Sequence, residues 1–277
     1  MDDHRPLGHG RTPDMKVMGK KGGSKAGRRS PLSYQQRDYR SLVIAGDLRS
    51  SYAQVEETDL HILADGDVTD CAKLLVQRYR LQIEGYIRSH PQFAVSLVPL
   101  PLDPLAPSIV REMLAAGEMA GVGPMAAVAG AIAEYVGRDL LRQGPREVIV
   151  ENGGDIFLQR EVASTVAIFA GPSPLSNTMG IRLSRQKMPC SVCTSSGTVG
   201  HSLSFGDADS VTVYATNAAL ADAAATRLGN EVGKGTSGDL GIKRALALAQ
   251  EIAGIGGVVV IRNELFGAVG DIELVGL

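Results

Sequence analysis

A short strand pattern that runs directly into a helix start constrains the fold of this chain most. Residues 210–215 (SVTVYA) are mostly β-branched or aromatic, as in a strand, and Thr216-Asn217 can begin a helix over Ala218–Leu228. Asp222 and Thr226 stand four residues apart on that helix, so both side chains lie on one face. Such oxygen atoms suit a hard cation, but a carboxylate so early in a helix can also serve only to stabilise the helix dipole.

A segment rich in hydroxyl groups and glycine precedes this strand, and we predict a loop there. Its residues are Thr194, Ser195, Ser196, Gly197 and Thr198. Such a loop can hold an anion, although it lacks the lysine and the spacing of a phosphate-binding P-loop. His201 follows and is either a general acid or base, or an ordinary loop residue.

Two cysteines stand at the start of this segment. The C-x-x-C spacing of Cys190 and Cys193 favours an incidental pair over a disulfide oxidoreductase. Cys193 would be a reactive thiolate only if its surroundings lower its pKa.

Two further segments can contribute to a site. Residues 147–151 (EVIVE) predict a buried strand running into Asn152-Gly153-Gly154-Asp155, where a primed hairpin turn is favoured over backbone contact with a ligand. Residues 121–137 (GVGPMAAVAGAIAEYVG) predict a buried helix that a neighbouring backbone or a ligand approaches closely. Glu134 stands alone in that apolar run, and is either a surface residue at the helix end or a buried site residue.

Charge is distributed unevenly along the chain. The first 40 residues carry ten Lys or Arg and four Asp or Glu, whereas the whole chain has 28 basic and 30 acidic residues. We therefore predict a disordered basic tail over residues 1–37 and a single acidic domain over residues 38–277. An acidic domain with 4% aromatic residues and no Trp argues against nucleic-acid binding.

Cysteine content and hydropathy predict where the protein works. Three cysteines are too few for a disulfide framework, which favours the reducing cytoplasm. No apolar run approaches the roughly 20 residues of a membrane helix, so we expect neither a membrane span nor a secretory signal. The oligomeric state is left open, a homodimer included.

The order of elements predicts an α+β fold rather than alternating βαβ units. We expect a hairpin of residues 39–45 and 51–64 about a turn at Gly46-Asp47, then helices and an extended connector over residues 93–107. Further strands, a helix and a closing hairpin follow. The remaining predicted segments are helices 67–89, 107–120, 121–137 and 240–252, and strands 147–151, 162–170, 180–183, 257–261 and 265–274.

Four segments combine small residues, paired glycines and oxygen-bearing side chains. They read GVGPMAAVAGAIAE, ENGGDI, CTSSGTVGHSLSFGDAD and ADAAAT. Together they resemble the uncharacterised branch of the ApbE-like superfamily, over about residues 37–275. The resemblance to the FAD:protein FMN transferases of that superfamily, once named for thiamine biosynthesis, is narrower. It covers the Gly-Gly turn, the Thr-Ser-Gly-type loop and the run SVTVYATNAALADAAAT.

The resemblance implies a T-fold-like architecture of antiparallel sheets packed against helices, and it implies site residues. Asp222 and Thr226 match the side chains that bind Mg²⁺ in the transferases. His201 is the nearest counterpart of a histidine in a His-Ile-x-Asp-Pro motif, but Ser202-Leu203-Ser204 follows it here, so that motif is missing. Ala129 and Glu134 stand where the transferases have a lysine and an aspartate. The residues implied to contact FAD or FMN are Asn152, Gly153, Gly154, Asp155, Thr194, Ser195, Ser196, Gly197 and Thr198.

The expectation that follows is a cytoplasmic protein that binds a flavin nucleotide with Mg²⁺ and transfers FMN to a hydroxyl of an acceptor protein. His201 or Glu134 is the candidate base. One alternative is a role in sulfide assimilation, in which Cys193 is the working residue. The other is a non-catalytic flavin carrier, which the missing motif favours.

Overall fold

The computed structural model describes residues 16–18, 47–197, 206–232 and 238–277. His201, Thr198 and the strand predicted over residues 39–45 lie outside them. The strands are β1 (Lys16–Met18), β2 (Arg49–Val55), β3 (Thr58–Ala64), β4 (Val148–Asn152), β5 (Asp155–Gln159), β6 (Ser164–Ala167), β7 (Met179–Leu183), β8 (Cys190–Ser195), β9 (Ser210–Ala215), β10 (Ile255–Arg262), β11 (Leu265–Gly270) and β12 (Glu273–Gly276). The helices are α1 (Thr69–Ser89), α2 (Gln92–Val95), α3 (Ser108–Ala120), α4 (Val128–Arg142), α5 (Ala218–Glu231) and α6 (Gly238–Ala249), with 3₁₀ turns at Pro124–Ala127 and Arg185–Lys187.

The described residues form three layers. Nine strands make one antiparallel sheet in the order β1-β11-β10-β9-β8-β5-β4-β3-β2. The helices cover one face of it, and the three-stranded sheet β12-β7-β6 packs on the other. Antiparallel sheets packed against helices confirm the predicted α+β class.

The two faces of strand β8 enter different cores because side chains alternate along a strand. Cys193 packs into the core beneath the helices, whereas Cys190 and Val192 pack towards the small sheet. Both cysteines are free thiols on opposite faces of β8, so Cys190 and Cys193 form no disulfide.

The predicted strand over residues 210–215 and the helix that follows it are confirmed. Strand β9 spans Ser210–Ala215 as predicted, and α5 begins at Ala218. Asn217 is its N-cap, and its Oδ1 accepts a hydrogen bond from the Leu220 N–H at 2.7 Å. A capping side chain of this kind stabilises a helix by about 1 kcal/mol.

Several predicted boundaries are wrong. The strand predicted over residues 51–64 is divided into β2 and β3 by a turn at Glu56-Glu57, where Glu56 has a φ of 51°. The hairpin predicted about Gly46-Asp47 lies partly outside the described residues. The predicted connector contains the short helix α2, and α4 continues five residues past Gly137 to Arg142. The strand predicted over residues 265–274 is split, since β11 and β12 belong to different sheets.

Lys16–Met18, inside the predicted N-terminal tail, pairs with β11. The division at residue 37 stays a prediction. One further expectation is corrected. Thr194 and Ser195 belong to strand β8 and not to a loop. Pairing with Thr212 and Val211 of β9 draws both residues into the ladder.

No single helix in the described ranges is long and apolar enough to cross a membrane. Only α3 together with Pro124–Arg142, a pair bent by 106°, meets that criterion by length and composition.

A glycine sets the distance between α4 and α5. A Cβ at Gly130 would lie 2.4 Å from the Ala218 carbonyl oxygen and 2.9 Å from the Asp222 Cβ. The close approach that the sequence indicated for this helix is therefore made by the backbone of α5.

We expect Gly130→Ala to lower the free energy of unfolding by about 1–3 kcal/mol, because the methyl group must push two helices apart. Gly85→Ala on α1 is the matched control, since its nearest neighbour is the flexible Arg88 side chain at 3.6 Å. There alanine should stabilise the helix by up to about 1 kcal/mol. Urea denaturation measures both variants, and equal effects would contradict this account of the α4–α5 contact.

Candidate functional site

Asp222 lies on the second turn of α5, where that helix meets the start of α4. Its Oδ2 accepts a hydrogen bond from the Gly130 N–H at 2.9 Å, and its side chain is partly buried. Burial raises the pKa of Asp222 to about 7, although the hydrogen bonds from Gly130 and Ala129 oppose that shift. The carboxyl group therefore keeps its proton to a higher pH than an ordinary aspartate does.

Asp155 is the second carboxyl group of the site, and the structure places it beside Asp222. It is buried, and its Oδ1 accepts a hydrogen bond from the Thr194 N–H at 3.2 Å. Burial and the neighbouring charge of Asp222 raise the pKa of Asp155 well above its usual range. Two carboxylates held together in this way repel each other, and a bound cation would relieve that repulsion.

The Gly-Gly turn positions Asp155. Gly153 and Gly154 have φ values of 69° and 107° between paired Asn152 and Asp155, as a primed hairpin turn requires. The Asn152 amide donates to the Ala129 carbonyl at 3.0 Å, which attaches the turn to the start of α4. The predicted turn is confirmed.

The Gly154 N–H already has a partner inside the protein. It donates to Glu151 Oε1 at 2.9 Å. Gly153, by contrast, is exposed at the tip of the turn.

Strand geometry separates the hydroxyl groups that the sequence grouped in one loop. The Thr194 Oγ1 lies 3.0 Å from Thr212 Oγ1, which in turn lies 3.1 Å from Ser210 Oγ. Alternation along β8 places Ser195 on the opposite face, beneath the helices, with Cys193. The Gly197 N–H donates to the Ala208 carbonyl at 2.9 Å, so its backbone is also engaged.

Ser195 has an unusual environment. It is only 6% exposed, and its Oγ has no hydrogen-bond partner among the described residues. The Ser191 hydroxyl, four residues earlier on the same face of β8, also has no hydrogen-bond partner among the described residues. Leaving a buried hydroxyl unpaired costs about 1–3 kcal/mol, so a ligand that bonds to it gains correspondingly.

Cys193 lies in the core against these carboxyl groups. Its Sγ is fully buried and donates to the Ala218 carbonyl at 3.5 Å. Burial, followed by the charges of Asp155 and Asp222, raises the pKa of Cys193 well above its usual range. A nucleophilic cysteine needs the opposite shift, so its surroundings do not activate this thiol.

Glu134 is buried in the middle of α4, which excludes the surface position that the sequence left open. Its Oε2 accepts from the Ala218 N–H at 2.6 Å, and its Oε1 accepts from Arg138 Nε at 2.7 Å. Burial raises its pKa. Both oxygens are engaged, and one of them anchors the first residue of α5.

Asp222, Asp155 and Thr226 fit a hard cation by their chemistry. All three offer oxygen atoms, and Thr226 lies partly buried one helical turn after Asp222. The described residues contain no group of three His, Cys, Asp or Glu side chains arranged for a metal ion. A cation here would thus need hydroxyl, carbonyl, water or phosphate oxygens to complete its ligands, as Mg²⁺ commonly does.

Sequence reasoning found both aspartates but not their pairing. It assigned Asp222 to a metal and Asp155 to a nucleotide. The two residues are distant in the chain, and only the packing of α5 on β5 and β8 brings them together. The alternation of β8 was the signal that could have separated Thr194 from Ser195.

Comparisons with known proteins give a consistent result. A family model described as AbpE bacteria matches residues 41–261. A UPF0280 protein of Methanococcus aeolicus is 43% identical over 222 residues, which cover 79% of this chain and 88% of that protein. A UPF0280 protein of Methanocaldococcus jannaschii is 44% identical over 207 residues, covering 74% and 83%.

Among solved structures, two flavin transferases share the fold. A mutant of the flavin transferase ApbE from Vibrio cholerae superposes with a TM-score of 0.51 at 14% identity, over 81% of this chain and 97% of that chain. The apo form of the flavinyl transferase ApbE from Pseudomonas stutzeri also gives 0.51 at 14%, over 80% and 94%. At this identity the likeness shows the fold alone.

The carboxyl pair predicts how stability depends on pH in the absence of divalent cations. Because the folded pKa of Asp222 is raised, its contribution is complete below about pH 4 and is lost as pH rises through about 7. Asp222→Asn keeps a neutral side chain at every pH. Wild type should therefore lose a few kcal/mol more than the variant between about pH 5 and pH 8.

Urea denaturation in EDTA at the two pH values measures this difference. Asp239→Asn, at the partly exposed start of α6, is the control and should follow wild type. Parallel curves for wild type and Asp222→Asn would show that Asp222 carries no raised pKa.

Proposed function

The chain belongs to the AbpE bacteria family, and we propose that it binds a flavin nucleotide with Mg²⁺ and transfers FMN from FAD to an acceptor protein. The observation that carries this proposal is the pair formed by the buried Asp155 and the partly buried Asp222, next to the Gly153-Gly154 turn. Two adjacent carboxyl groups of raised pKa are favourable for binding a cation, because the cation stabilises their charged forms. The Ser195 hydroxyl, buried and without a hydrogen-bond partner among the described residues, is available to a phosphate.

Asp222 and Thr226, with Asp155 beside them, would hold Mg²⁺, which would neutralise negative charge on the diphosphate of FAD. The raised pKa values support this assignment, because a bound cation favours the charged form of both carboxyl groups.

Ser195 is the hydroxyl that we assign to the phosphates, since its Oγ is buried and has no hydrogen-bond partner in the part of the chain that the structure describes. The Thr194 hydroxyl is already hydrogen-bonded to Thr212. Thr194 therefore contributes to the proposed site mainly by extending strand β8, and less by a contact of its side chain. Asn152, Gly153, Gly154, Ser196, Gly197 and Thr198 complete the proposed nucleotide contacts.

The proposed reaction replaces the phosphoanhydride bond of FAD by a phosphoester bond to the acceptor. The bond between the FMN phosphorus and the bridging oxygen of the diphosphate breaks, and AMP leaves with that oxygen. The acceptor hydroxyl oxygen bonds to the FMN phosphorus, and its proton passes to a base. His201 remains the proposed base, because both oxygens of Glu134 are engaged with Ala218 and Arg138.

Both solved neighbours are described as flavin or flavinyl transferases. The UPF0280 relatives carry no description of an activity. The absence of the His-Ile-x-Asp-Pro motif favours a second candidate, a flavin carrier that binds the nucleotide without cleaving it. Nothing in the surroundings of Cys193 favours the role in sulfide assimilation.

Incubation with FAD, Mg²⁺ and a threonine-bearing acceptor peptide tests the reaction directly, with AMP release followed by chromatography. We expect release by wild type and a loss of about 100-fold or more in Asp222→Ala, because the charge that holds the cation is gone. Asp239→Ala on α6 is the control and should leave the rate unchanged. FAD binding without AMP release would establish the carrier, and absence of both would overturn the proposal.

Ser195 and Ser191 form a matched pair for testing the nucleotide contact. Both hydroxyls are buried on the same face of β8 and have no hydrogen-bond partner among the described residues. Replacing either serine with Ala should therefore leave stability unchanged or slightly raised. Only Ser195→Ala should weaken FAD binding, by about tenfold, since it removes one bond to a charged phosphate. Fluorescence titration of FAD measures both variants. Equal affinities would show that Ser195 does not contact the nucleotide.

A further inference from the structure

A cavity lies between helices α1, α3 and α4, away from the aspartate pair. Its volume is about 460 Å³, within the range of small-molecule sites. Asp139 on its wall and Gly130 at the aspartate site are nine residues apart on α4, which places them roughly 13 Å apart along the helix axis. The cavity is therefore distinct from the proposed flavin site.

Three arginine side chains line this cavity. Arg78 comes from α1, and Arg138 and Arg142 stand four residues apart on one face of α4. Against Glu112 and Asp139 on the same wall, they leave an excess of one positive charge.

Asp139 fixes two of the guanidinium groups. Arg78 Nη1 lies 3.5 Å from its Oδ2, and Arg142 Nη1 lies 2.5 Å from its Oδ1. Tyr79 also donates its hydroxyl to the same carboxylate. Each guanidinium carries five N–H donors and uses one nitrogen here, while the side chains of Arg78 and Arg142 are 63% and 72% exposed. Further donors are thus held near one another and open to solvent.

Arg138 is also held in place, by Glu134 of its own helix. Its Nε and a terminal nitrogen contact the buried Glu134 Oε1 at 2.7 and 2.5 Å, and its side chain is 48% exposed. Groups held in place before a ligand arrives lose little freedom when it binds.

The start of α3 adds to the positive character of the cavity wall. Ser108, its first residue, lines the cavity. Pro107 precedes it without a capping side chain, and the first turn contains no acidic residue. The N–H groups at this end favour an anion.

We propose that this cavity binds the phosphate or diphosphate group of a small phosphorylated molecule. Three guanidinium groups from two helices can bind a tetrahedral, multiply charged anion from several directions. A single carboxylate pairs with only one guanidinium group. The paired rings of Tyr79 and Tyr135, with centroids 5.1 Å apart, form an aromatic wall for the rest of the molecule.

Calorimetric titration of the full chain with pyrophosphate, in EDTA and low salt, tests the proposal. We expect binding by wild type, and binding about tenfold or more weaker in the double variant Arg78→Gln and Arg142→Gln. Arg146→Gln is the matched control, since its side chain is 78% exposed outside the cavity and it should bind like wild type. Asp222→Ala should also bind like wild type, so failure of this site and failure of the flavin site are distinguishable. Succinate should not compete.

Absence of binding at pyrophosphate concentrations up to about 10 mM would overturn the proposal, because small-molecule sites usually bind their ligands more tightly than that. An unchanged affinity in the double variant, an equal loss in Arg146→Gln, or competition by succinate would do the same. If circular dichroism shows that the double variant is unfolded, Arg142→Gln alone replaces it. Its expected loss is about threefold or more, and an unchanged affinity would also overturn the proposal.

Discussion

The close contact between α4 and α5 at Gly130 is the constraint on which the site depends. With no side chain at that position, the Ala218 carbonyl and Asp222 approach the backbone of α4. The Gly130 N–H then bonds to the Asp222 carboxylate, and one turn later Glu134 receives the Ala218 N–H. The absence of a Cβ at Gly130 thus determines both the position of the Asp222 carboxylate and the start of α5.

That contact holds two carboxyl groups in surroundings that disfavour their charged forms when no ligand is bound. Asp222 and Asp155 both have raised pKa values, from burial first and then from each other in the case of Asp155. The Ser195 hydroxyl, for which the described residues provide no hydrogen-bond partner, lies on the helix-facing side of β8. Proteins retain such costs at functional sites, and a cation with a phosphate would offset all three. The same packing keeps Cys193 buried and its pKa raised.

The elements that the sequence predicted well are those with strong local signals. The alternating run of β9, the capping Asn217 and the glycine pair between Asn152 and Asp155 each specify their structure through nearby residues. The failures have non-local causes. Pairing with β9 extends β8 through Ser195 and sends Thr194 and Ser195 to opposite faces. The turn at Glu56 carries no glycine or proline to mark it, and the approach of Asp155 to Asp222 exists only after α5 packs on the sheet.

The central claim is that Asp155 and Asp222 share one cation. Electron paramagnetic resonance of added Mn²⁺, which takes the same oxygen ligands as Mg²⁺, measures that cation directly. At about pH 8, where both carboxyl groups are more fully ionised, the account predicts one bound ion per chain in wild type. It predicts that Asp155→Asn and Asp222→Asn each abolish that binding. Undiminished Mn²⁺ binding in either variant would contradict it.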